Sequence, residues 1–238
     1  MPIIKIGADP EAFIVDKSGT FFPAHNIVPG TKEHPFKLER GAVQVDGVAC
    51  EFNIDPVETE DSFVKNIGVV LTQINEIIKK VDKDLSLSWV PIVQFKPLVW
   101  DTVPETNKIL GCDPDYNING EVNINPTEKL EGTPLRTAAG HIHIGFLDNL
   151  IDNPGDQSHF DDCLYFAKGF HSAGLRTYTP HSKDEYERLN YYGHNGSFRP
   201  KKYGVELRAP SNVWVKNEIS QRLVFNETRT RFKELSGI

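Results

Sequence analysis

The chain has 238 residues and a formal charge of −7, with 39% hydrophobic and 25% charged residues. That length can bury one sizeable core, so a single domain over 1–238 is expected. The acidic balance argues against a dedicated nucleic-acid binder, and no segment reaches the roughly 20 apolar residues of a membrane span.

In chain order, residues 2–16 alternate as a strand or a strand pair broken near Pro10. Residues 42–54 read as a hairpin around Asp46-Gly47, a dipeptide suited to a tight turn. Apolar positions at Phe63, Ile67, Val70, Leu71, Ile74, Ile77 and Ile78 have helical spacing over 60–82, with Thr59 or Asp61 as cap. SLSWVPIV (86–93) is a short strand. Residues 96–139 lack a period and are rich in Pro, Asn, Gly and Asp, which makes them a candidate substrate loop or lid. The strand carrying HIHIGF follows, then helices over 157–174 and 182–192. YGVELRAP (203–210) reads as a strand and 215–235 as a closing helix ended near Gly237. No repeat, low-complexity tract or linker divides the chain. Strands first, then a helix, more strands and more helices give an α+β order rather than βαβ alternation.

Cys50, Cys112 and Cys163 are scattered, which indicates neither a disulfide framework nor a thiolate zinc site. The first residues, MPIIKIGADPE, reach acids before any apolar run of signal-peptide length. The expected compartment is a reducing cytoplasm.

The chemistry sits in polar pairs two residues apart: Asp9 and Glu11, Glu51 and Asn53, His141 and His143, Glu206 and Arg208. In a strand, residues i and i+2 share a face. Any one pair is also what a solvated strand face carries. If the strands share a sheet, one face collects Asp9, Glu11, Glu51, Glu206 and both histidines, an oxygen-rich set with imidazole suited to Mg²⁺ or Mn²⁺. NGSFRPKKYGVELR adds Arg199, Lys201, Lys202 and Arg208, cations that suit phosphate. No P-loop or GxGxxG fingerprint occurs, so a nucleotide would be held in another manner.

These residues carry a resemblance. GADPEAFIVD resembles the strand of paired acids that opens the catalytic domain of glutamine synthetase. GHIHIGF is similar to the H-x-H strand of glutamine synthetases and glutamate–cysteine ligases. NGSFRP followed by GVELRAPSN resembles their arginine loop and E-x-R strand, in the same order. With GCDPDYN before RTAAGHIHIG, the wording looks most like the small phage-encoded carboxylate–amine ligases of that superfamily, over about residues 5–215.

The resemblance implies a curved, mainly antiparallel sheet flanked by helices, with ATP and divalent ions in a funnel. ATP would phosphorylate a carboxylate, and an amine would displace phosphate from the acyl phosphate to give an amide. Asp9 and Glu11 then match acids on different ions, Glu51 a further metal acid, His141 the histidine ligand, and Glu206 the acid completing the set. His143 matches the neighbour facing the phosphates, and Arg199 and Arg208 the arginines on the phosphoryl group in transfer. Asp9 stands where the family has glutamate, and the hairpin before Glu51 is compressed, leaving Gln44 and Asp46 both open as a further counterpart. Nothing corresponds to the N-terminal substrate domain of full-length glutamine synthetase, so neither glutamate–ammonia specificity nor ring assembly carries over.

The partners expected are a carboxylate and an amine, small molecules or peptides, with the oligomeric state left open. Within 96–139, Glu105, Asp113 and Asp115 are candidates for the amine's ammonium or its proton, alongside the plainer reading of a solvated acidic loop. Two other readings stand beside the ligase. One is a metal-dependent hydrolase or cupin-like oxygenase using H-x-H. The other is a non-catalytic binding or structural descendant.

Overall fold

The computed structural model describes residues 4–109, 114–123, 130 and 132–238. The first half runs β1 (Lys5–Val15), β2 (Phe21–Phe22), β3 (Phe36–Leu38), β4 (Gly41–Asp46), β5 (Ala49–Ile54) and α1 (Glu60–Val81). Next come β6 (Ser86–Ser88), β7 (Ile92–Gln94), α2 (Pro97–Trp100), α3 (Glu105–Lys108), β8 (Leu135–Thr137) and β9 (Gly140–Gly145). The chain continues through α4 (Gln157–Ser172), α5 (Lys183–Arg188), β10 (Phe198–Lys201), β11 (Gly204–Leu207) and α6 (Glu218–Ser236). The fold is α+β, with six α-helices among the described residues, none long and apolar enough to cross a membrane.

The main sheet is antiparallel, ordered β10-β11-β9-β1-β5-β4-β3, with β2 and β6 also pairing with β1. β1 is one strand rather than a pair broken at Pro10. On its β9 side the pairing runs from Lys5↔Gly145 to Pro10↔Gly140. On its β5 side an isolated bridge joins Ile6 to Val57, and regular pairing starts only at Glu11↔Glu51. Pro10, with no N–H to give, falls in the gap between them and costs no ladder bond.

The expected hairpin is present as β4 and β5, closed by Gly47 and Val48 between the pair Asp46↔Ala49. The turn thus centres one residue later than Asp46-Gly47. Gly47 has φ of 55°, the left-handed region that favours glycine at the first position of such a turn. Residues 86–93 form not one strand but parts of two: β6 joins the main sheet at β1, while β7 pairs with β8 in a separate two-stranded sheet. Pro91 stands between them and breaks the run. The second predicted helix after HIHIGF is shorter than 182–192, ending at Arg188. Segment 96–139 holds two one-turn helices and β8 among its described residues.

α1 starts where expected, with the Thr59 side chain accepting from the Ser62 N–H. Its apolar stripe of Phe63, Ile67, Val70, Ile74 and Ile78 is fully buried. Together with α4 and α6 it covers one sheet face, against Ile6, Ala8, Phe52, Ile142, Ile144, Val205 and Leu207. Each of the larger of these side chains contributes about 1.5–3 kcal/mol by leaving water. A smaller cluster on the other face, built on Phe13, Phe95, Trp100 and Val103, roofs only one end of it. The rest of that face is left for polar side chains.

Candidate functional site

Strand register determines which side chains meet. Asp9 pairs with His141, His143 with both Gly7 and Glu206, Glu206 with Arg199, Glu11 with Glu51, and Glu51 with Gln44. Directly paired residues share a face. The face opposite the helical layer therefore carries the acids, both histidines, Arg199, Lys201 and Arg208, because Ile6, Ala8, Phe52, Ile142, Ile144 and Leu207 occupy the alternate positions facing the core. From β10 to β4 there are five strand spacings, about 24 Å.

One end is rich in cations. Glu206 is 1% exposed and is shared by Arg208, by Lys201 Nζ at 3.0 Å and by Arg199 Nη1 at 3.4 Å. Burial alone would raise its pKa, but the adjoining Arg208 guanidinium holds it far below the carboxylate range. Arg208 Nε also donates to Asp115 Oδ2 at 2.9 Å, so part of segment 96–139 does close on the site. Arg199 lies on β10, a regular strand, rather than in a loop.

At the other end the acids accept from neutral donors, while the charges of Arg188 and Arg208 act on Glu11 from farther off. Glu11 accepts from the Ala139 N–H at 2.7 Å, and Glu51 from Gln44 Nε2 at 2.9 Å. Among the described residues no lysine or arginine nitrogen lies within ion-pair reach of either. Burial, then the charge of Asp46, pushes Glu11 up to about 8. Glu51 is driven well above its ordinary value by burial, then by Asp9, Asp46 and Glu11. Asp46 thus joins the acids electrostatically, whereas Gln44 serves as a donor to one of them.

Between the two ends stand the histidines. His143 Nε2 bonds Asp9 Oδ1 at 2.6 Å, and its Nδ1 meets the Tyr203 hydroxyl. His141 Nε2 bonds the Tyr192 hydroxyl at 2.9 Å. His141 Nδ1 is buried without a hydrogen bond, 3.3 Å from Asp9 Oδ1 and 3.5 Å from Glu206 Oε1. Burial, then the charge of Arg208, lowers the His141 pKa. In His143 burial also acts to lower it, but Asp9 prevails and raises it. Asp9, despite burial, is held well below its ordinary value by His143. Candidate ligand atoms of Asp9, His143 and Glu206 lie within 4.8 Å of one another. His143, expected to face phosphate, thus stands among the acids with His141.

Beside this row lies a cavity of about 740 Å³, within the range of small-molecule sites. Gly7 and Gly145 line it, with Asp9, His143 and Lys201 at one side and Pro56, Leu147 and Tyr203 among its apolar walls. Asn53 also lines it.

Not every expected residue arrives. Lys202 is exposed in the turn between β10 and β11, outside the face that carries Lys201, because the chain reverses there. Glu105 sits on α3 with its side chain 85% exposed and bonded to Lys108, so it does not reach the site. Asp113 and Cys112 lie outside the described residues; Cys50 and Cys163 are buried and free.

Sequence spacing missed Tyr192, Tyr203 and Arg188, which sit in or beside irregular segments where the two-residue rule has no purchase. Arg188 is 1% exposed, and burial lowers its pKa to about 10. It donates to the Ala209 carbonyl at 2.9 Å and lies over the Tyr192 ring, with the charges of Glu11 and Glu185 acting on it without a direct ion pair. Compared with known proteins, the chain matches no family model and no curated sequence.

Proposed function

We propose that this chain is an ATP-dependent ligase that joins a carboxylate to an amine through an acyl phosphate, releasing ADP and phosphate. The observation that carries the reading is the division of one sheet face. A half-buried acid pair with no direct ion pair among the described residues, Glu11 and Glu51, lies across from a cation cluster around Glu206, and a cavity of about 740 Å³ lined by Asp9, His143 and Lys201 adjoins the row. Half-buried carboxylates of like charge are relieved by a proton or by a compensating cation, and their all-oxygen donors fit Mg²⁺. The resemblance to glutamine synthetases and glutamate–cysteine ligases supports the roles of Glu11, Glu51, Arg199 and Arg208, and would put Glu206 on an ion as well.

Divalent ions on these acids would neutralise the triphosphate. The chain's own part is positioning and charge placement. Arg199, Lys201 and Arg208 are already held by Glu206, so little reorganisation is needed to present them to a transferring phosphoryl group. The cavity beside Gly7 and Gly145 takes the rest of the nucleotide. Arg188, a buried guanidinium bonded to the Ala209 carbonyl, suits a carboxylate of the substrate. Asp115, bonded to Arg208, would help the part of the chain around it keep water from the acyl phosphate.

The test is direct. Protein, Mg²⁺, ATP, a pool of amino acids and hydroxylamine should yield ADP, phosphate and an acyl hydroxamate. Absence of nucleotide turnover with every acid tried, together with tightly retained zinc or iron, would instead support a metal-dependent hydrolase or oxygenase. That second reading is favoured by one observation, the two imidazoles near the same carboxylates. It leaves Arg199, Lys201 and Arg208 with no task beyond neutralising Glu206.

A further inference from the structure

The outer edge of β10 carries a further piece of chain. Residues 114–123 turn back on themselves with Tyr116 opposite Val122, and Tyr116 exchanges two backbone bonds with Phe198, each 2.9 Å. The Tyr116 ring packs edge-on against Phe160, with centroids 4.8 Å apart, and lies tilted against Phe198. Seated in this way on the sheet, the turn delivers Asp115 to Arg208.

Asp115 is 8% exposed, and each of its oxygens accepts a bond. Oδ2 accepts from Arg208 Nε at 2.9 Å and Oδ1 from Asn123 Nδ2 at 2.8 Å. Asn123 is itself fixed. Its backbone N–H donates to the Asp115 carbonyl at 2.9 Å and its amide to Ser197 Oγ at 3.0 Å, and Ser197 donates onward to the His194 carbonyl at 2.8 Å. An acid held from both sides suits a support better than a mobile proton acceptor for an amine. Around Arg208, Asp115 stands at Nε, Glu206 at Nη1 and the Tyr192 hydroxyl at Nη2. A guanidinium is planar, so acceptors at three of its nitrogens define the plane in which it lies.

We propose that Asp115 and Asn123 are positioning residues for Arg208: Asn123 aims the Asp115 carboxylate, and the carboxylate sets the plane in which the guanidinium meets the transferring group. Charge balance alone would not require Asn123, since a freely turning carboxylate beside Arg208 balances charge as well. A donor displaced by about 1 Å can lose on the order of a hundredfold in rate, which is what the two residues would prevent. The catalytic part rests on the role given to Arg208 in the proposed function; the orientation of the guanidinium does not.

The experiment uses the full chain, isotopically labelled on nitrogen, and reads the Nε–H resonance of Arg208 by nuclear magnetic resonance, assigned by its loss in R208K. N123A keeps the Asp115 charge but releases its aim. In that variant the resonance should move, and its proton should exchange with water about tenfold faster or more. D115N, equal in shape, should show the same and carries the test if circular dichroism finds N123A misfolded. Wild-type position and exchange in the folded variants overturn the proposal. In the hydroxamate assay, N123A should lower kcat roughly tenfold to a hundredfold with the KM for ATP unchanged. A raised KM with kcat retained would make the turn a mere wall of the site and overturns the positioning role. If the wild-type chain turns over no nucleotide, the proposed function fails, while the Arg208 resonance still decides whether Asn123 orients it.

Discussion

Glu206 stays ionised while almost wholly buried because three cations share it. Arg199 also donates to the Pro114 carbonyl, so it links β10 to the chain next to Asp115. Under the ligase reading, Arg199→Ala removes one preorganised donor while Arg208 and Lys201 still neutralise Glu206. Turnover in the hydroxamate assay should fall by about 10²–10³, the usual effect of losing one such donor, with the melting temperature nearly unchanged. Wild-type turnover would take Arg199 out of the site. At this scale the sequence was informative wherever a residue sits on a strand. Asp9, Glu11, Glu51, His141, His143, Glu206 and Arg208 meet because a period of two places them on one face. Lys202 lies in a turn and Glu105 on a separate one-turn helix, where neighbours in sequence are not neighbours on a face. Tyr192 and Tyr203 reach the histidines from outside the strands, and no spacing announces them.

The long first helix shows the same logic with a different period. Its stripe from Phe63 to Ile78 was legible because 3.6-residue spacing needs no knowledge of partners. What it packs on was not. Phe63 has its ring 5.9 Å from Trp214 and 5.3 Å from Phe225, residues more than 150 positions away. Phe63→Ala should therefore cost about 3–5 kcal/mol, read from the midpoint of chemical denaturation. A change under 1 kcal/mol would mean that α1 is not seated on the sheet in this way. Residues 86–93 went astray for the converse reason: an apolar run says nothing about which sheet each half will join. Pro10 misled as well, since a proline inside a strand is costly only where its N–H would have been used.

Stability belongs to the whole molecule, and here it is tied to protons and ions. Glu11 has an ordinary pKa of 4.5 and is raised to about 8 when folded, and Glu51 shifts in the same direction. Between those values the folded chain holds protons that the unfolded chain has released. Ion-free stability should accordingly fall as pH rises from about 5 to 8. Asp9 and Glu206 are shifted down, so their contribution is present above the ordinary carboxylate range and is lost only in stronger acid. Melting curves in chelator should decline over pH 5–8, and added divalent ion should restore most at the alkaline end. A flat or rising chelator profile would show that the acid pair is not left uncompensated.

The alternation of charged and apolar positions along β1, β5, β9 and β11 has a consequence for assembly of the sheet itself. A slip of one residue between any two of these strands would turn carboxylates and imidazoles into the aromatic interior and expel isoleucines into water. Each misplaced ion would cost several kcal/mol, so mispaired arrangements are penalised together. The polar residues of this face thereby act as alignment marks: the chain cannot thread its strands wrongly without drowning its grease and drying its charges.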